Sequence, residues 1–338
     1  MAKKGLLLLN LGSPQAPTPE AVGVYLKQFL NDPYVIDIPK ILRYILVNFL
    51  IVPRRKYASS EAYEKIWTAK GSPLVQTTKE FAEQVAVALI DQFEVRWAMR
   101  YGSPSVASVV KGWEIDELFV VPLYPQYAES STRTAVEDVA KSFDKPFSYL
   151  RDFFIEPEFI DSEVLQIEAA LKDFSADHLL LSFHGLPEHH LSKLHPDHCG
   201  KAADCSKVVT AKNRLCYRAQ SFATFSAISS RLSFDKNKMS LGFQSRLGNK
   251  PWIKPYTDIV VDELAQKGVR KLLVACPSFV ADCLETLEEI QMRLKEQFIA
   301  SGGQDLRLVA APNSEAHWIK NFSSMIRNSS AAWTTYRK

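Results

Sequence analysis

The chain has 338 residues, 46% of them hydrophobic, and a formal net charge of +3. That length exceeds one ordinary core and predicts two domains, and the near balance of charge points away from nucleic acid and polyanionic substrates. Five cysteines in a chain this long make no disulfide framework, so a reducing, cytoplasmic setting is the expectation.

The opening apolar run, Leu6 to Leu9, is too short for the core of a signal peptide. It continues into Asn10, Leu11, Gly12, Ser13 and Pro14 instead of a cleavage site, and so reads as a first strand. Thr18, Pro19 and Glu20 read as the cap and first turn of a helix to about Leu30. From Pro39 to Pro53 nearly every side is apolar, which fits either a fully buried helix or an exposed greasy lip and membrane contact. No run of about eighteen apolar residues occurs, so no spanning helix is expected. Arg54, Arg55 and Lys56 follow directly. Thr77 and Glu80 have capping-box spacing for a helix to about Phe93. A strand Glu94–Arg100, a helix opened by Ser103 and Pro104, and a strand Leu118–Pro122 come next. The last ends in Leu123-Tyr124-Pro125-Gln126-Tyr127, which suits a pocket wall or a rigid loop. Helix Thr132–Phe143 and strand Phe147–Leu150 complete the first unit.

The second unit repeats the alternation: helix Pro157–Asp173, strand Leu179–Phe183 ending at His184, an irregular stretch, then helix Lys207–Ser230. Strand Met239–Gln244 runs into a polar loop closed by Trp252, followed by helix Thr257–Gln266 and strand Lys271–Cys276. A helix from Pro277, strand Leu306–Ala310 and a final helix near Glu315–Arg327 end the chain. Strands alternating with helices predict an α/β fold of two doubly wound, Rossmann-like domains with parallel sheets. Neither G-x-G-x-x-G nor a P-loop is present, which argues against dinucleotide and P-loop binding.

Two stretches carry chemistry. His184 ends a buried strand where Gly185 and Pro187 stop it, the edge at which such sheets bind ligands. A capping or core histidine is the plain alternative, but six of the seven histidines fall between His178 and His198. About a hundred residues on, Asp282, Glu285 and Glu289 fall within an arc of about 60° on an ideal helix. A surface stripe complementing the helix dipole explains this equally well. If His184 lies nearby, the nitrogen–oxygen set suits a borderline ion such as iron(II).

Taken together the motifs carry a resemblance over nearly the whole length. Ser182-Phe-His-Gly-Leu-Pro187 and Cys276-Pro-x-Phe-x-x-Asp-Cys-Leu-Glu-Thr-Leu-Glu-Glu289 are its most specific parts. Gln244-Ser-Arg-x-Gly248 with Pro251-Trp252, Tyr124-Pro-Gln-Tyr127, Arg100-Tyr101 and Leu9-Asn-Leu-Gly12 add to it. The chain resembles ferrochelatases, lyases that insert ferrous iron into protoporphyrin IX, releasing two protons, at the last step of haem synthesis. The resemblance implies residues 1–152 and 153–313 as two Rossmann-like (chelatase-type) domains, an active-site cleft between them, and residues 314–338 returning to the first. It implies His184 and Glu285 as the metal-binding and catalytic pair, with Asp282 and Glu289 continuing an acidic path. It implies Arg54 and Arg55 near the porphyrin propionates, and Leu11, Arg100, Tyr101, Tyr124, Ser245 and Trp252 as porphyrin contacts. Iron(II) and porphyrin are then the partners, in the cytoplasm or peripherally at the inner face of the membrane.

The chain departs from the common pattern in placing Cys199, Cys205 and Cys216 inside the second domain. Some relatives carry a [2Fe–2S] cluster, which needs four ligands. His195 or His198 could supply the fourth, zinc could occupy the site, or the three could be buried thiols. A coproporphyrin-specific ferrochelatase, a cobalt-inserting chelatase and a non-catalytic tetrapyrrole- or metal-binding protein are the competing readings. Intact His184 and Glu285, the run Glu285-Thr-Leu-Glu-Glu289 and the chain length favour iron insertion.

Overall fold

The computed structural model describes residues 2–195, 208–246, 248, 250–328 and 333–337. Its strands are β1 (Lys4–Ser13), β2 (Glu94–Gly102), β3 (Glu117–Pro122), β4 (Phe147–Leu150), β5 (His178–His184), β6 (Met239–Gln244), β7 (Lys271–Ala275), β8 (Asp305–Leu308) and β9 (Trp333–Tyr336). The chain divides into two compact units. One comprises Met1–Tyr124, Glu129–Arg151 and Ser314–Lys338, the other Pro125–Ala128 and Asp152–Asn313.

The first unit holds a five-stranded sheet in the order β2-β1-β3-β4-β9. Leu6 to Leu9 are wholly buried because β1 is flanked by parallel β2 and β3. A central parallel strand covered on both faces is apolar throughout rather than alternating. The edge strand β9 runs antiparallel to β4, with the Tyr336 ring stacked on Phe147 at 5.1 Å. Trp333-Thr-Thr-Tyr336 is four residues long and has no apolar run, so the sequence offered no strand there.

In the first unit two helices depart from their sequence readings. The helix Pro73–Ala88 begins at Ser72 and Pro73, so Thr77 lies inside it instead of capping it. Proline at the first helical position set the start. The apolar stretch does not stop at Pro53. Helix Lys40–Ile45 continues through a π-helical turn, Leu46–Ile51, into helix Val52–Ile66. Proline lacks an N–H and crowds the carbonyl one turn back, and the wider turn accommodates that mismatch. Val47 and Val52 are buried with Leu30, whereas Ile41, Leu42 and Phe49 are 73%, 58% and 65% exposed. The segment is therefore not fully buried: one side packs into the unit and the other is exposed. No described helix is long and apolar enough to cross a membrane.

The second unit holds an all-parallel sheet in the order β6-β5-β7-β8. The chain enters at β5, adds β6 on one side, then crosses to β7 on the other. The carboxyl ends of β5 and β7 therefore form the point where the winding reverses, which is where open α/β sheets bind ligands.

Candidate active site

His184 is the last residue of β5, which outruns β7: the β5–β7 ladder stops at Leu181 and Ala275. Its backbone N–H donates instead to the Ser278 hydroxyl at 3.0 Å. That hydroxyl also meets the Tyr217 hydroxyl at 3.1 Å. His184 Nδ1 lies 2.6 Å from the Gly185 carbonyl oxygen. A carbonyl can only accept, so Nδ1 carries a proton, and whenever the ring is neutral its lone pair lies on Nε2. Gly185 is required here. Its N–H donates to the Gln244 carbonyl at 2.8 Å, and a Cβ would meet that oxygen at 2.5 Å and Trp252 at 3.2 Å. Trp252 pairs with Pro187 in an isolated bridge and so covers the turn after His184.

The acidic segment differs from an ideal helix. Residues 277–283 are irregular, with a turn at 277–278 and a bend at 280–281, a short helix spans Leu284–Leu287, and a π-helix spans Glu289–Leu294. Asp282 therefore precedes the helix rather than sharing its face. Its carboxylate accepts from Thr286 Oγ1 at 2.8 Å and Asn313 Nδ2 at 2.7 Å, and it pins the helix start. Glu285 is half-buried, and its backbone carbonyl accepts from Gln244 Nε2 at 2.8 Å. Glu289 accepts from the Ser245 N–H at 2.8 Å and hydroxyl at 2.6 Å. Burial pushes the Glu289 carboxyl up, the Ser245 bonds and the His184 ring oppose that, and Glu285 adds to it. Burial, then the Glu285 charge beside it, pushes the Cys283 thiol up, so it stays protonated. Among the described residues no three His, Cys, Asp or Glu side chains converge into a metal cage.

Among the described residues the clustered histidines lie in different places. His178 lies at the opposite end of β5 from His184, bonded to Ser240 Oγ at 2.9 Å, and burial lowers it to about 4. His189 and His190 lie on helix Glu188–Leu194. Cys199, Cys205 and His198 fall outside the described residues. Cys216 is buried just before helix Tyr217–Arg231.

In the first unit Arg54 and Arg55 are exposed and, among the described residues, form no ion pair. Arg100 is committed inward: it meets Asp32 Oδ2 at 2.6 Å and Thr134 Oγ1 at 2.8 Å. Tyr101, 3% exposed, donates to the same Asp32 oxygen at 2.9 Å. Tyr124 keeps a buried hydroxyl with no hydrogen-bond partner among the described residues, and burial raises it. Leu11 is half-buried at the end of β1.

Sequence reasoning missed Gln244 and Ser278 as members of this arrangement, and it missed Glu163. The last is 3% exposed, leaves Oε1 without a partner among the described residues, and is pushed up to about 8 by burial and then by Asp282. Only a glutamate on the apolar side of an amphipathic pattern could have signalled it.

The sheet orders and strand ends define a two-unit α/β protein with a ligand-binding edge at the carboxyl ends of β5 and β7. Among solved structures, SirB from Bacillus subtilis with Fe3+ matches with a TM-score of 0.55 at 12% identity, covering 98% of this chain and 96% of that one. CbiX, the terminal enzyme for biosynthesis of siroheme in denitrifying bacteria, matches with a TM-score of 0.50 at 10% identity, covering 96% and 99%. At those identities the likeness is one of fold. The sequence goes further. A family model described as Ferrochelatase matches residues 3–330. The ferrochelatase of Pseudomonas fluorescens (strain SBW25) is 43% identical, covering 98% of this chain and 100% of that protein. That of Coxiella burnetii (strain Dugway 5J108-111) is 42% identical, covering 97% and 94%. The chain belongs to the ferrochelatase family: it is a lyase of haem synthesis that inserts ferrous iron into a porphyrin.

Proposed function

We propose that His184 takes the pyrrole protons and that Glu285 and Glu289 bind the incoming iron. The observation that carries this reading is the Nδ1 contact to the Gly185 carbonyl, which leaves a basic Nε2 at the winding reversal of the sheet. Metallation must remove two pyrrole protons while the iron exchanges water for ring nitrogens. A neutral imidazole accepts such a proton, and carboxylates suit the dehydrating cation. Asp282 acts one step back, since its carboxylate is bonded to Thr286 and Asn313 and fixes the helix that carries Glu285.

For the porphyrin, the exposed guanidinium groups of Arg54 and Arg55 suit propionates, and Leu11, Tyr124 and Trp252 are its further contacts, whereas the Ser245 N–H and hydroxyl are both taken by Glu289. Arg100 and Tyr101, tied to Asp32, act by shaping the end of β2. The substrate is protoporphyrin IX, with coproporphyrin as the competing one. The exposed apolar side chains of Ile41, Leu42 and Phe49, followed by Arg54 and Arg55, fit peripheral contact with the cytoplasmic face of a membrane. A [2Fe–2S] cluster or zinc at Cys199, Cys205 and Cys216 rests on spacing alone, and no step is routed through it. The experiment is the loss of porphyrin fluorescence with iron(II), run on protoporphyrin and coproporphyrin in parallel. Faster turnover of protoporphyrin supports the reading, faster turnover of coproporphyrin reassigns the substrate, and no metallation of either removes it.

A further inference from the structure

Ser245 stands immediately after β6 with a φ of 65°, in the left-handed region that a residue bearing a Cβ adopts rarely. Such a conformation persists where surrounding contacts over-determine it. Here the contacts all lead to one carboxylate: the Ser245 N–H donates to Glu289 Oε1 at 2.8 Å and its hydroxyl donates to Oε2 at 2.6 Å. The residue before it is tied in as well. Gln244 Nε2 donates to the Glu285 carbonyl at 2.8 Å, while the Gln244 carbonyl accepts the N–H of Gly185, next to His184. One dipeptide thus links the turn after His184, the backbone at Glu285 and the carboxylate of Glu289.

We infer that Ser245 is a positioning residue for Glu289, holding both carboxylate oxygens so that their remaining lone pairs face iron in one orientation. A carboxylate oxygen that accepts one hydrogen bond keeps capacity for another partner, so the clamp is compatible with metal binding. A glutamate has three side-chain torsions to lose, and ordering them before iron arrives removes that entropy cost from the binding step. This inference rests on the reading that Glu289 handles iron, and it takes Ser245 away from the porphyrin.

The test uses the full chain with iron(II) and protoporphyrin varied separately, and compares Ser245→Gly, Ser245→Ala and Glu289→Gln. Glycine suits the left-handed backbone and keeps the N–H bond, so only the hydroxyl bond is lost. We expect Ser245→Gly to melt no lower than the parent, to raise KM for iron about tenfold or more, the effect of one charge-assisted hydrogen bond, and to leave KM for porphyrin within about twofold. Ser245→Ala should show the same KM split on a less stable protein, since alanine is strained at positive φ. A rise in porphyrin KM without a rise in iron KM, or parent-like kinetics in Ser245→Gly, overturns the clamp. If Glu289→Gln itself leaves iron KM unchanged, the role of Glu289 falls first. If Glu289→Gln raises iron KM and Ser245→Gly does not, only the clamp falls.

Discussion

Replacing Glu163 by Gln should stabilise the protein in a pH-dependent way. Glu163 lies in helix Pro157–Asp173, 3% exposed, with Oε1 unpartnered among the described residues and Asp282 contributing a like charge. Its carboxyl is pushed from 4.5 up to about 8. The unfolded chain is therefore ionised between those values while the folded chain holds the proton. The folded state binds more protons in that window, so stability falls as pH rises through it and levels off above the folded value. At pH 7 the gap of roughly 2.5 units costs about 3 kcal/mol at 1.36 kcal/mol per unit. Glutamine is neutral in both states and close to the protonated carboxyl in shape, so it recovers that cost. The expected gain is roughly 6–12 °C in Tm at pH 7 for a unit of this size, shrinking towards zero near pH 4.5. Thermal unfolding of parent and variant at pH 5, 7 and 8.5 reads it directly, because the difference between the two cancels the titrating groups that do not interact with Glu163. A gain equal at all three pH values, or none at pH 7, refutes the reasoning.

Glu285→Gln keeps the side-chain shape and removes the charge, so KM for iron should rise roughly tenfold or more while KM for porphyrin holds; each factor of ten is about 1.4 kcal/mol. Ile45 and Phe49 are 47% and 65% exposed, so placing Asp at both should leave the melting curve intact while weakening vesicle sedimentation and raising porphyrin KM; unfolding would show that their exposure is not functional. If Cys199, Cys205 and Cys216 hold a cluster, anaerobically purified protein should be red-brown with about two acid-labile sulfides per chain, the content of a [2Fe–2S] centre; colourless protein without iron or sulfide after reconstitution removes the idea, and zinc by elemental analysis redirects it.

Much of the fold was legible because buried parallel strands announce themselves. Leu6 to Leu9 and Leu179 to Phe183 are apolar runs of strand length, and both proved to be central strands. Helix Pro19–Leu30 was legible from its cap, Thr18 Oγ1 accepting the Ala21 N–H at 3.3 Å. What failed were features set by tertiary context. A helix running through Pro53 needs the π-helical turn before it, and no local propensity signals that turn. The three-carboxylate stripe assumed one regular helix from Pro277, but bends precede Leu284 and a π-helix follows at Glu289. Position alone placed His184 at the ligand edge of its sheet. The supports around it, Ser278, Gln244 and the left-handed Ser245, come from distant segments and could not be paired from a single sequence.

The central claim is that the Nε2 lone pair of His184 removes pyrrole protons, and turnover of His184→Ala at saturating iron and porphyrin tests it most directly. General-base catalysis is worth about 10²–10⁴-fold, so kcat should fall by that factor, with fluorescence titration showing porphyrin affinity little changed. Near-parental turnover in a folded His184→Ala protein would contradict the account.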